Sequence, residues 1–265
     1  MSYDLMVFDA TAPTSAEAFG TWYATQTDWA TSGRAEVPAT LARWYHEIQM
    51  TFPALNPLPG DPPRGEIPDE RLCDYSFGEH VIYLGFAWSV ADAARRGVLN
   101  TACLNGIGAY DPQTNRVFYP RPCDRPLVAV SHNDLESYGE ATLTLYTVLD
   151  LFDSMAWTKD SFLSFPLDPE RLFQIHGEPD GDLTMEFTHL AENSYLQRRA
   201  DRGTCRQLLM EVFGSSGPRP DLEAGFGQIN FTPSKSDALI NRLVPIGFIV
   251  VLIALIGYFI YLVIA

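Results

Sequence analysis

Residues 3–8 (YDLMVF) are apolar on both faces apart from Asp4, the pattern of a strand buried on both sides. Thr14, with Glu17 three residues on, has the form of a capping box. Behind it Phe19, Trp22, Tyr23 and Gln26 recur at helical spacing toward Trp29. After Pro38 the stripe Leu41, Trp44, Tyr45, Ile48 and Phe52 predicts a second amphipathic helix. Residues 53–70 hold six prolines, a density no helix or strand survives, so this stretch is a loop that serves as a lid or as a connection. Residues 81–88 are nearly continuously apolar, as for a central strand. Ser89 and Asp92 form a second capping-box pattern, opening a helix that stops at Asn105-Gly106. A hairpin follows, with strands at 107–110 and 117–119 about Asp111-Pro112. The order β-α-α-β-α-β-β predicts an α+β domain over residues 1–122, with a roughly ferredoxin-like layout.

The second half repeats the theme. Leu145, Val148, Leu149 and Phe152 recur at helical spacing within a run whose β-branched residues also suit a strand; helix is the preferred reading. Residues 161–165 read as a strand. Leu183, Met185 and Phe187 alternate with Thr184, Glu186 and Thr188. With residues 171–177 they flank Glu178-Pro179-Asp180-Gly181, which predicts a hairpin. A strand at 194–198 and a helix at 201–213, with Cys205, Leu208, Leu209 and Val212 inward, complete a second α+β domain over residues 124–213. Residues 214–242, rich in Gly, Pro and Ser, read as a flexible tether.

Residues 243–265 (LVPIGFIVVLIALIGYFIYLVIA) contain no charged side chain. At about 1.5 Å per residue they are long enough for one helix to cross a hydrocarbon core of roughly 30 Å. A core helix would carry polar residues on one face, and here every face is apolar. Pro245 falls in the first turn, where a missing N–H costs little. Lys235 and Arg242 precede the run and no basic residue follows it. The positive-inside rule then keeps the N-terminal body in the cytoplasm. The N-terminus lacks the basic and long apolar regions of a secretory signal. The expectation is a single-pass, tail-anchored protein of a bacterial inner (plasma) membrane.

Charge narrows the partners. The chain carries 33 acidic and 18 basic residues, a net of −15. Residues 1–123 hold 14 acidic against 8 basic, and residues 124–232 hold 18 against 8, so both halves are acidic. Such a body is repelled by phosphate backbones and anionic lipid heads, which argues against nucleic acid and suits a basic protein partner. Acidity that merely keeps a protein soluble is the plainer reading of the same numbers. Cys73, Cys103, Cys123 and Cys205 are scattered, without CxxC, and read as reduced and structural.

No chemical motif stands out. Gly106-Ile107-Gly108 lies between a helix and a strand, the wrong order for a dinucleotide fingerprint. His46, His80, His132, His176 and His189 form neither HxH nor HExxH. A metal site from His176, Glu178, Glu186 and His189 competes with a solvated hairpin face, which is preferred. Glu178, Asp180 and Asp182 begin like a calcium loop but lack its spacing. No metal, no cofactor and no catalytic residue is expected. Arg198, Arg199, Arg202 and Arg206 are the one basic cluster; pairing with the acidic body is the preferred reading, and contact with lipid phosphate, should this face turn toward the membrane, is the alternative. Trp29, at a helix end, and Glu178, Asp180 and Asp182, at a turn, are the candidate interface residues.

The segments SYDLMVFD, WYATQTDWA and YSFGEHVIYLGFAWSVADAA resemble an uncharacterised bacterial family of small α+β proteins. Some of its members belong with toxin–immunity systems, including those linked to contact-dependent or type VI secretion. The resemblance covers residues 2–120 and maps no functional residue. It implies a binding protein rather than an enzyme: an immunity protein that neutralises a toxin by occlusion. The alternatives are a membrane-anchored scaffold or adaptor of a secretion or envelope complex, and an enzyme built from unremarkable residues such as His46 or His80.

Overall fold

The computed structural model describes residues 2–28, 37–121, 127–128, 130–131, 142–168, 170–213 and 223–229. The chain divides into two units, Met1–Gly227 and Gln228–Ala265. Within the first unit the fold is α+β, with two antiparallel sheets plus helices.

The first sheet is built around β1 (Tyr3–Phe8). β1 runs antiparallel to β3 (Val81–Phe86) on one side and to β4 (Gly108–Asp111) on the other. β2 (Asp74–Phe77) adds to β3, and β5 (Arg116–Phe118) adds to β4, giving the order β2-β3-β1-β4-β5. A chain apolar on both faces needs a layer on each. Tyr3, Leu5 and Val7 join Ile82 and Leu84 in one core with the helices α2 (Ala39–Ile48) and α3 (Ala91–Leu104). Met6 and Phe8 point the other way, to Val81, Tyr110 and Phe19 of α1 (Ala16–Gln26). The observed order is β-α-α-β-β-α-β-β. Gly78 and the turn to His80 divide the apolar stretch after Asp74 into two paired strands, one more than its hydropathy predicts. A ferredoxin-like repeat is β-α-β-β-α-β.

Two helix starts differ from the sequence reading. α1 is capped by Ser15, whose Oγ accepts from the Ala18 N–H at 3.3 Å, and not by Thr14. α3 is capped by Val90 without a side-chain bond, because Ser89 falls within a 3₁₀ turn at Trp88–Val90. The helix end is as expected: Gly106 takes a positive φ of 66°, as a helix stop requires. The proline-rich stretch is a loop except for a 3₁₀ turn at Asp69–Arg71. It is pinned to α2 by Asp61, which accepts from Tyr45 Oη at 2.8 Å and from the Leu58 N–H at 2.6 Å.

Two short pairings follow: β6 (Leu127–Val128) with β8 (Thr142–Leu143), and β7 (Val130–Ser131) with the next long strand. α4 (Leu145–Ser154) is a helix, with Leu145, Val148, Leu149 and Phe152 buried. Thr147 Oγ1 accepts from the Thr144 N–H at 2.8 Å and closes its first turn. β9 (Phe162–Asp168), β10 (Arg171–Gly177), β11 (Leu183–His189) and β12 (Ser194–Ala200) form a continuous antiparallel array. α5 (Arg202–Phe213) buries Cys205, Leu208 and Leu209 against the same core. One apolar cluster runs through both sheets, with α3 packed on α4 and α4 on α5. Phe226 packs on Phe187 at 4.9 Å between ring centroids, so part of the stretch read as tether lies against the body. β13 (Gly227–Ile229) spans the point in sequence where the two units divide.

Residues 243–265 lie outside the described residues. Among the described residues no helix is long and apolar enough to cross a membrane.

Candidate functional site

β11 lies between β10 and β12, so its outward side chains occupy the middle of a sheet face. Alternation sends Leu183, Met185 and Phe187 into the core and Thr184, Glu186 and Thr188 to the opposite face. Register aligns Ser164, Gln174, Glu186 and Gln197 as one row across four strands. Gln174 Nε2 donates to Ser164 Oγ at 3.2 Å. Gln197 Nε2 donates to Glu186 Oε2, and Thr188 Oγ1 donates to Glu186 Oε1 at 2.8 Å. Glu186 is only 7% exposed.

The β10–β11 turn closes one end of this face. Gly181 holds a φ of +92°, and the turn brings Glu178, Asp180 and Asp182 together. Arg199 on β12 reaches back to both aspartates, with Nε 3.2 Å from Asp182 Oδ2. Thr184 Oγ1 donates to Glu178 Oε1 at 2.5 Å. The three acidic interface candidates therefore share one place, and two of them are held by the protein's own arginine. Trp29, the fourth candidate, lies outside the described residues.

At the opposite end a cleft of about 310 Å³ is lined by Asp168, Glu170, Arg171, His189 and Glu192. Arg171 Nε pairs with Asp168 Oδ2 at 2.8 Å. His189 Nε2 lies 3.2 Å from Oε1 of Glu223, which follows α5 in the chain. His176 stands opposite Thr184, and His189 opposite Arg171, so the metal set weighed from sequence does not converge. Among the described residues no group of three or more His, Cys, Asp or Glu is placed to hold a metal ion.

The basic cluster is largely consumed inside the fold. Arg202 Nη2 donates to the carbonyls of Phe152 and Asp153 at 3.1 and 2.8 Å, and Arg206 Nε pairs with Asp153 Oδ2 at 3.0 Å. Both cations sit at the C-terminal end of α4, where its dipole favours them. Arg116 Nη2 donates to the Asp153 carbonyl at 3.0 Å, and Arg116 Nη1 meets Asp150 Oδ1 at 2.8 Å. Asp150 also meets Arg95 at 2.5 Å, and Arg95 meets Asp111 at 3.3 Å. Burial pulls the Arg95 guanidinium down, but Asp150 and Asp111 outweigh it and leave it above its ordinary value.

His80, raised from sequence as a possible catalytic group, has Nδ1 2.9 Å from Asp9 Oδ2. Asp9 also accepts from the backbone and hydroxyl of Thr11. Burial opposes the charge on Asp9, but these hydrogen bonds prevail and hold its carboxyl below the usual range. His46 is exposed on α2. Cys73, Cys103 and Cys205 are buried, and burial pushes the Cys205 thiol up to about 12, far from a thiolate at neutral pH. Trp88 is the aromatic that hydropathy misplaces. It reads as the end of a buried strand but is 55% exposed, edge-on to Tyr3 at 5.3 Å.

No family model, no curated protein and no solved structure matches this chain.

Proposed function

We propose that the chain is a membrane-held acidic binding protein: a bacterial immunity protein that captures a basic toxin and occludes its working surface. The supporting observation is where the charge lies. Arg64, Arg95, Arg116, Arg171, Arg199 and Arg206 each meet a carboxylate of the same body. With a net charge of −15, the field presented to an approaching molecule is therefore set by exposed carboxylates such as Glu17, Glu66, Glu70, Asp92, Asp160 and Glu192. Such a field steers a cationic protein and speeds its capture. The uncharged run 243–265 supports attachment at the inner membrane with the body in the cytoplasm, where an incoming toxin is met at raised local concentration.

The test is co-expression of the chain with the toxin candidate encoded by the adjacent reading frame. Restored growth, with co-purification that weakens as salt rises, supports the reading. Equal growth with and without the chain sinks it for that partner.

A further inference from the structure

The outer face of the second sheet holds a buried carboxyl group that no cation among the described residues meets. Glu186 is the central residue of the central row on β9–β12, is 7% exposed, and receives only two neutral hydrogen bonds, from Thr188 and Gln197. Its flanking row positions hold Gln174 and Gln197, which are neutral. Among the described residues no arginine, lysine or histidine pairs with it. Elsewhere in this body the buried Asp111 has Arg95 as its cation, and the half-buried Asp150 has Arg95 and Arg116. A carboxylate has two acceptor sites on each oxygen, and a buried ionised one is costly until a cation meets it.

We propose that the face of β9–β12 centred on Glu186 is the surface that docks a basic protein, with an arginine or lysine of the partner seated on Glu186. The inference rests on the reading of the chain as an acidic binder and adds to it the place and the recognised group. Charge complementarity selects the partner. Glu178, Asp180 and Asp182 stand at one end of the face and Asp168, Glu170 and Glu192 at the other, while Arg199 and Arg171 are already engaged by carboxylates. A guanidinium suits the central position best, because it can donate in bidentate fashion to the sites that Thr188 and Gln197 leave open.

The probe is an arginine-rich nine-residue peptide titrated onto the full chain in lipid nanodiscs, read by amide chemical shifts and by calorimetry. Three variants accompany the wild type. Glu186→Gln removes the charge, Gln174→Lys supplies a cation from the neighbouring strand, and Glu70→Gln removes an exposed charge from the loop before β2. The expected result is shifts centred on β9–β12, with affinity reduced about tenfold in both Glu186→Gln and Gln174→Lys, and by less than about twofold in Glu70→Gln, whose charge acts only through the long-range field. Gln174→Lys keeps the test open if Glu186→Gln fails to fold. Binding that all the variants retain, or that maps elsewhere, overturns the docking surface and leaves the basic-partner reading standing. Absence of saturable binding to every form overturns both. If Glu186→Gln without peptide shifts the amides of residues 230–242, the occupant is the chain's own Lys235 or Arg242, and the proposal falls.

Discussion

Asp9 shows how one side chain closes a sheet and titrates with it. It ends β1, accepts from the Thr11 N–H at 2.9 Å and from the Thr11 hydroxyl, and meets His80 Nδ1 at 2.9 Å across the β2–β3 turn. These bonds hold its carboxyl below the ordinary value. A carboxyl depressed in the folded state adds stability above the unfolded value of about 3.9 and loses it as pH falls through the folded value. Asp9→Asn is therefore expected to cost about 1–2 kcal/mol between pH 6 and 8. The gap between variant and wild type should narrow below about pH 4. Urea melts across that range measure it, and a gap of constant size down to pH 3 would contradict the assignment.

At the scale of elements, α4 is held by its far end. Its last carbonyls and its two aspartates are gripped by Arg95, Arg116, Arg202 and Arg206, which arrive from α3, β5 and α5. Asp150 is the shared partner of two of them. Asp150→Asn would leave Arg95 and Arg116 with their charge but without that carboxylate. The expected loss is about 2–3 kcal/mol, toward the low side for a broken buried pair because these side chains keep some exposure. A double-mutant cycle with Arg116→Gln should recover part of it, whereas strict additivity would show that the pair does not couple. The helix itself is legible in the sequence, since Leu145, Val148, Leu149 and Phe152 repeat at its period. So are the β10–β11 hairpin, through Gly181 and its alternating flanks, and the pairing of Arg202 and Arg206 within the body. The cap at Ser15, the strand break at Gly78 and the exposure of Trp88 were not legible. Each depends on which neighbour the chain meets in space, and hydropathy does not encode that. For the same reason the acidic turn was visible as Glu178, Asp180 and Asp182, while Glu186 read as one more polar position in an alternating strand. That β10 and β12 stand on either side of it is a matter of pairing in space, which the alternation of β11 alone does not show.

For the whole unit Met1–Gly227, the decisive fact is that its main core is continuous. The cluster containing Leu5, Trp44 and Ile82 of the first sheet layer also contains Phe152 of α4 and Phe173 and Phe187 of the second sheet. Two sheets that share a core and an arginine network gain stability from each other, so they should not melt separately. Trp44, fully buried on α2, and Trp157, partly buried beside Phe152 at 5.3 Å, report on the two halves. Single-tryptophan variants that keep one or the other should give coincident urea transitions with the same midpoint and slope. Asp150→Asn should shift both midpoints together, because its contacts bridge the two halves. Two separated transitions, or a shift in only one, would mean that the sheets are independent domains and that the arginine network decorates their border. A coincident transition has a functional consequence. A partner docked on the second sheet would then stabilise the first as well, by mass action on the one folded state.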